Sequence, residues 1–169
     1  IHSDFKVDVD KDNICLSGQR LVYSEFIYIM LNKPDGYISA TDDPKEKTVL
    51  ELLPEEISRK NIFPAGRLDK NTLGLLLLTN DGALAHRMLS PKHHVEKKYR
   101  FEVEHELTDQ EKDRIEKGIA LEDGYVTKPS VISLDIGRMS GSIVLTEGKY
   151  HQIKLMWNAV DNRIPYLER

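Results

Sequence analysis

Apolar and polar positions alternate with a period of two in several short stretches of this chain, and follow a helical period in fewer. "FKVDVDKDNICLSGQRLVYSEF" alternates on both sides of "SGQ" and predicts a hairpin. "FIYIMLNKP" predicts a strand stopped by Pro34, with "DGY" as the turn after it. "KTVLELLPEEI" predicts a short helix, and "IFPAGRLD" a strand or loop. "LGLLLLT" has the length and flanks of a buried strand, although its leucines alone would also suit a helix. "NDGALAHRMLS" predicts a turn into a short helix that carries Leu84, Met88 and Leu89 on one face and stops at Pro91.

In the second half, "KKYRFEVE" alternates as a half-buried strand, with Tyr99 on one face and Lys98 and Arg100 on the other. Thr108 and Glu111 stand at capping-box spacing before "DQEKDRIEKGI". "PSVISLDI" and "GSIVLTEG" predict strands around the "GRMSG" turn. "HQIKLMWNAV" has helical spacing, with Ile153, Met156 and Trp157 directed to the core. There is no internal repeat and no strict alternation of strand and helix. The predicted class is α+β, with a mixed, largely antiparallel sheet flanked by helices.

Composition narrows the choices. The 169 residues are 40% hydrophobic and 31% charged, the balance of an ordinary globular protein of one domain or one domain with a small appendage. No apolar run approaches the roughly 18 residues of a membrane span, and "IHSDFKVDVDKDN" is too polar for a signal peptide. No membrane partner is expected. Cys15 is the lone cysteine, which excludes an internal disulfide and, with no His or carboxylate cluster at ligand spacing, leaves no metal site. A reducing, cytoplasmic location and a monomer are the expectations.

The formal charge of −4, from 24 basic and 28 acidic residues, argues weakly against nucleic acid. Its distribution argues the other way. Arg87, Lys92, Lys97, Lys98 and Arg100 crowd "HRMLSPKHHVEKKYR", while acids crowd "EVEHELTDQEKDRIE". That pattern suits either mixed solvated faces or a basic cleft on an acidic body.

"GRLDKNTLGLLLLTNDG" sets Arg67 and Asp69 at the mouth of the leucine run. A carboxylate at the edge of a buried strand is held rigidly, as a nucleophile or general base must be. Taken alone, such a residue is more often a turn cap.

The stretch is not alone. "AGRLDKNTLGLLLLTNDGALAHRM" resembles the central motif of the RNA pseudouridine synthases, in the RsuA branch that acts on small-subunit rRNA. "YIMLNKPDGYISAT", "KKYRFEV", and "EGKYHQIKLM" with "VDNRIPYLER" resemble that branch's other motifs, in the same order. The resemblance implies the pseudouridine synthase fold with a central RNA-binding cleft. It implies Asp69 as the group that attacks the target uridine, Tyr99 as the ring that packs on the flipped base, and Lys154 as the cation paired with the aspartate. By the same resemblance Arg67 fills the gap left by the flipped uridine and Leu167 lines the pocket. Arg87, Lys92, Lys97 and Lys98 are the candidate phosphate contacts.

Those roles fit the chemistry. Isomerising uridine breaks a C–N glycosidic bond, turns the base and rejoins it through carbon. No metal or redox cofactor is expected. A carboxylate can attack either C1′ of the sugar or C6 of the base; both are shielded in stacked RNA, so the base must flip out at a cost of a few kcal/mol. Tyr99 can recover part of that by stacking, and a Lys154 ammonium beside Asp69 would keep the carboxylate ionised.

"GKYHQIK" points to the small-subunit type, hence to a uridine of the uridine-516 type in 16S rRNA, naked or in an assembling particle. A 23S rRNA target and a non-catalytic rRNA-binding assembly factor are the alternatives. Leu155 stands where the branch commonly has a second basic residue. The branch usually begins with a domain resembling part of ribosomal protein S4 and continues past "YLER". Residues 1–20 are therefore expected to be a linker from such a domain, and residues 21–169 a catalytic domain incomplete at its C-terminal end. A glycosidase built on Asp69 and Asp81 is excluded: a strand rising about 3.3 Å per residue separates them by more than the 5–10 Å such a pair requires.

Overall fold

The computed structural model describes residues 6–8, 11–20, 24–58 and 60–169. Two sheets joined end to end carry the molecule. Strands β1 (Cys15–Leu16) and β2 (Gln19–Arg20) form the predicted hairpin around Ser17 and Gly18, whose flanks lie partly outside the described residues. Strands β3 (Tyr28–Lys33), β4 (Phe63–Ala65) and β5 (Gly74–Thr79) form a sheet in the order β3-β5-β4, both pairings antiparallel. Strands β6 (Lys97–Glu102), β7 (Val131–Leu134), β8 (Ser140–Leu145) and β9 (Tyr166–Glu168) form the second, in the order β7-β8-β6-β9, again antiparallel.

The sheets meet where Leu73 pairs parallel to Glu168. Leu73 N–H donates to Leu167 O at 2.9 Å, Arg169 N–H to Leu73 O at 3.0 Å, and Leu75 N–H to Arg169 O at 2.8 Å. Gly74 makes this seam possible. Its φ is +96°, and a Cβ there would lie 2.2 Å from the Arg169 carbonyl oxygen.

Among the described residues four α-helices flank the sheets. They are α1 (Glu55–Ser58), α2 (Gly82–Leu89), α3 (Asp109–Lys117) and α4 (Gln152–Asn158). Thr108 and Glu111 form the predicted capping box on α3, satisfying N–H groups that the first turn leaves without partners. Asp81 caps α2, accepting from Leu84 N–H at 2.9 Å and from the Tyr28 hydroxyl at 2.8 Å. Its role is structural, at the far end of β5 from Asp69.

Phe101, Ile143, Leu76, Leu78, Met156 and Trp157 are at the centre of the core. The rings of Phe101 and Trp157 meet at 4.7 Å, tilted by 57°. Burial of Ile153, Met156 and Trp157 on α4 agrees with the helical period read from the sequence.

Four expectations need correction. "KTVLELLPEEI" is not one helix but a 3-10 turn (Val49–Leu52) and α1, separated at Pro54, which has no N–H to continue the first. The leucine strand β5 is buried on one face alone: Leu76 and Leu78 are in the core, whereas Leu75 is exposed and Leu77 half-buried, because a strand's side chains alternate. On α2 Ala85 is the fully buried residue, while Leu84 and Met88 are partly buried and Leu89 exposed. Nothing in the pattern of "VDNRIPYLER" predicts a strand at its end, yet β9 pairs with β6.

Candidate active site

The site lies in the turn that enters β5, at the seam between the sheets. Asp69 is partly buried there, with Thr72 N–H donating to its backbone carbonyl at 3.0 Å. On one side Ser39 braces the neighbouring Leu68, its hydroxyl donating to Leu68 O and accepting from Leu68 N–H, each at 2.9 Å. Beneath the turn is Lys33, the last residue of β3 and 1% exposed. Its ammonium donates to three carbonyls: Pro34 at 3.0 Å, Lys70 at 2.9 Å and Thr72 at 2.9 Å. Burial pushes its pKa below the usual lysine value, while Asp35 and Asp69 pull it back up and Lys154 adds to the fall. The leucine strand alone does not hold Asp69 in place; a buried cation fastens the turn from below.

Lys154 arrives from α4, 85 residues on in the chain. Its Nζ lies 3.2 Å from Asp69 Oδ2 and donates to Asn71 Oδ1 at 2.5 Å. The pair is about three-quarters buried, with side-chain exposures of 23% and 24%, so water weakens the attraction less than it would on an open surface. His151, just before α4, brings Nε2 to 3.4 Å from Asp69 Oδ1. The aspartate therefore has a basic neighbour on each oxygen.

Tyr99 faces inward from β6 and is 8% exposed. Burial pushes its phenol above the usual tyrosine value; Arg169 opposes this through its charge and a hydrogen bond, and the Asp69 charge reinforces it. The ring is thus a neutral phenol at ordinary pH. Arg169 is anchored by its Nε donating to Leu75 O at 2.7 Å. Leu167, paired with Phe101 across β9 and β6, is buried in the core under this corner.

The remaining candidates divide. Arg67 is exposed two residues from Asp69, with no partner among the described residues. Lys97 lies on the Tyr99 face of β6, half-buried, with Nζ donating to Val95 O at 3.0 Å; burial and Arg169 lower its pKa. Lys92, in a 3-10 turn after α2, and Arg87, on α2, are exposed. Lys98 is not brought to Asp69. Strand alternation puts it on the opposite face of β6, in an outer groove with Arg100, Ser133 and Glu168. Leu155 packs partly buried against the core, which explains an apolar residue at that position of α4.

Lys33, Asn71, His151 and Arg169 were not singled out from the sequence. Lys33 carried a signal, as a charged residue closing the apolar run "YIMLN". The other three carried none, because their place depends on which loops meet. Among the described residues no group of three or more His, Cys, Asp or Glu side chains could hold a metal ion. No helix among them is long and apolar enough to cross a membrane.

Comparison with known proteins gives the family. Residues 27–159 match the family model described as RNA pseudouridylate synthase. The chain is 47% identical over 166 residues to a Bacillus subtilis protein named uncharacterized RNA pseudouridine synthase YtzG, covering 96% of this chain and 70% of that one. It is 43% identical over 143 residues to the ribosomal small subunit pseudouridine synthase A of Escherichia coli, covering 84% of this chain and 61% of that one. It thus spans some three-fifths to seven-tenths of the length of these curated relatives. A crystal structure of a pseudouridylate synthase superposes with a TM-score of 0.80 at 32% identity, over 99% of this chain and 72% of the other. On these grounds the chain belongs to the RNA pseudouridylate synthase family.

Proposed function

We propose that the chain isomerises a uridine of small-subunit ribosomal RNA to pseudouridine, with Asp69 as the nucleophile. The observation that carries this reading is the ion pair between Asp69 and Lys154 at 3.2 Å, formed across the fold inside a family of uridine isomerases. The relative from Escherichia coli is named for the ribosomal small subunit, which supports that RNA as the substrate; a site of the uridine-516 type is the target in this proposal.

In the reaction the C1′–N1 bond breaks, the base turns so that C5 faces the sugar, and C1′–C5 forms. The proton on C5 leaves and N1 gains one, so atoms balance. A carboxylate attacks well only when it is aimed, and the Lys154 contact and the Lys33-fastened turn hold Asp69 in place. The base has to leave the stack to reach Asp69, and the flat face of Tyr99 offers it contact there. As a neutral phenol Tyr99 donates a hydrogen bond rather than acting as a ready base. Arg67, exposed beside Asp69, is placed to enter the space the base vacates. The chain acts in this reading as a monomer, on naked RNA or on an assembling particle.

Incubation with 16S and 23S rRNA, followed by a chemical probe for pseudouridine, tests the proposal. A single new stop in 16S rRNA is expected. Modification confined to 23S rRNA moves the substrate, and no modification of either removes the activity. RNA binding should be salt-dependent despite the net charge of −4. Three lysine or arginine contacts, from Arg87, Lys92 and Lys97, to phosphates of single-stranded RNA give a slope of log affinity against log salt of roughly −2, and losing one, as in Lys92→Ala, reduces its magnitude by about 0.7. A flat salt profile would make the basic cluster a solvated face and nothing more.

A further inference from the structure

We infer that Tyr150 and His151 form a stacking platform for the nucleotide next to the target uridine, an inference that rests on the reading of Asp69 as the uridine site. The Tyr150 ring lies on the His151 imidazole with centroids 3.8 Å apart and planes within 18°. His151 in turn reaches the Asp69 carboxylate. The two rings make a short stack that begins at the nucleophile and ends in solvent, because Tyr150 is 74% exposed. One face of the tyrosine is covered by histidine and the other is open.

The arrangement is held, not incidental. His151 has φ +49°, a left-handed conformation that disfavours a residue with a side chain and persists where the surroundings impose it. Those surroundings are a closed network. The Glu147 carboxylate accepts from the Tyr125 hydroxyl at 2.6 Å, from Lys128 N–H at 2.9 Å and from Gln152 Nε2 at 2.6 Å. Gln152, 3% exposed, accepts from Lys149 N–H at 2.9 Å. The loop between β8 and α4 is thus fastened on both sides of Tyr150, and an exposed ring is kept beside Asp69.

RNA chemistry fits what this ring offers. Flipping a uridine strips a stacking face from each neighbouring base. A flat ring near the vacated place replaces one of them, and ring-on-base stacking tolerates any base, so the platform sets the position of the strand rather than reading sequence. The surrounding charge suits a phosphate chain. Lys149 on the same loop sits with its ammonium 4.4 Å from the Tyr125 ring centroid, Lys154 is one helical turn away, and the Lys97 stem approaches Gly148 to 4.0 Å of where a Cβ would stand.

The test uses an rRNA fragment carrying the uridine that the chain converts, and two versions with an abasic site immediately 5′ or 3′ of it. Dissociation constants and single-turnover rates are measured for the parent, Tyr150→Ala and Tyr150→Phe, with urea midpoints as a check on folding. Loss of the ring should weaken binding about tenfold to a hundredfold, the range of one ring-on-base stack, and fall on Kd rather than on the rate at saturating RNA. Tyr150→Phe should recover most of that loss. One abasic RNA should weaken the parent by a similar factor and add little to Tyr150→Ala, since the two changes remove the same contact. Binding by Tyr150→Ala within twofold of the parent overturns the platform, as do abasic losses that add in full at both neighbours. A parent that converts no uridine overturns the underlying reading; a converting parent with an indifferent Tyr150 overturns the platform alone.

Discussion

Asp69→Asn is expected to lower pseudouridine formation by at least about 10⁴-fold while the protein stays folded. An amide matches the carboxylate in size and still accepts a hydrogen bond, so Lys154 keeps both Asn71 and an oxygen partner. As a nucleophile, however, it is far poorer. A loss of that size corresponds to about 5.5 kcal/mol of barrier. Stability should change by about 1 kcal/mol or less, since the ion pair is partly exposed. Rate and urea midpoint measured on the same preparation separate the two effects. Residual turnover within about tenfold of the parent would remove Asp69 from the nucleophile's role.

The second large effect is expected at a residue that need not touch RNA at all. Lys33→Met replaces the buried ammonium by an apolar chain of similar length and takes the donor from the carbonyls of Pro34 and Thr72, while the Lys70 carbonyl keeps the Gly36 N–H at 3.1 Å. Each buried carbonyl without a partner costs about 1–3 kcal/mol, partly offset because a charge no longer has to be buried. A net loss of about 2–4 kcal/mol follows, or roughly 5–15 °C in Tm for a chain of this size. Turnover should fall as well, because the turn that aims Asp69 is the one released. The pH dependence carries a sign. Because burial lowers the pKa of Lys33 in the folded chain, the unfolded chain binds the extra proton in the alkaline window just below 10.5. Stability of the parent therefore rises with pH through that window relative to Lys33→Met. Equal midpoints and equal rates for parent and variant would reduce Lys33 to a space-filler.

Both substitutions fall within motifs visible in the sequence, yet they were not equally legible. Asp69 was exposed by its setting, a charge in "GRLD" beside a leucine run, and by the resemblance that this stretch carries. Lys33 stood in "LNKP" without a role, because the sequence does not show which carbonyls would surround its ammonium.

What the sequence determined by itself was local. Alternation in "YIMLNK", "KKYRFE" and "GSIVLT", helical spacing in "QIKLMWN" and the Thr108–Glu111 box each depend on neighbours within a few residues, and the elements formed there. Tertiary structure decided the rest. Short-range pattern could not say that β9 would pair with β6, or that Leu73–Leu75 would zip to Arg169 at a seam requiring Gly74. Nor could it place His151 and Asn71 beside residues 69 and 154. Those contacts join segments about 80 residues apart, and their partners are set by the path of the whole chain; no local period encodes that path.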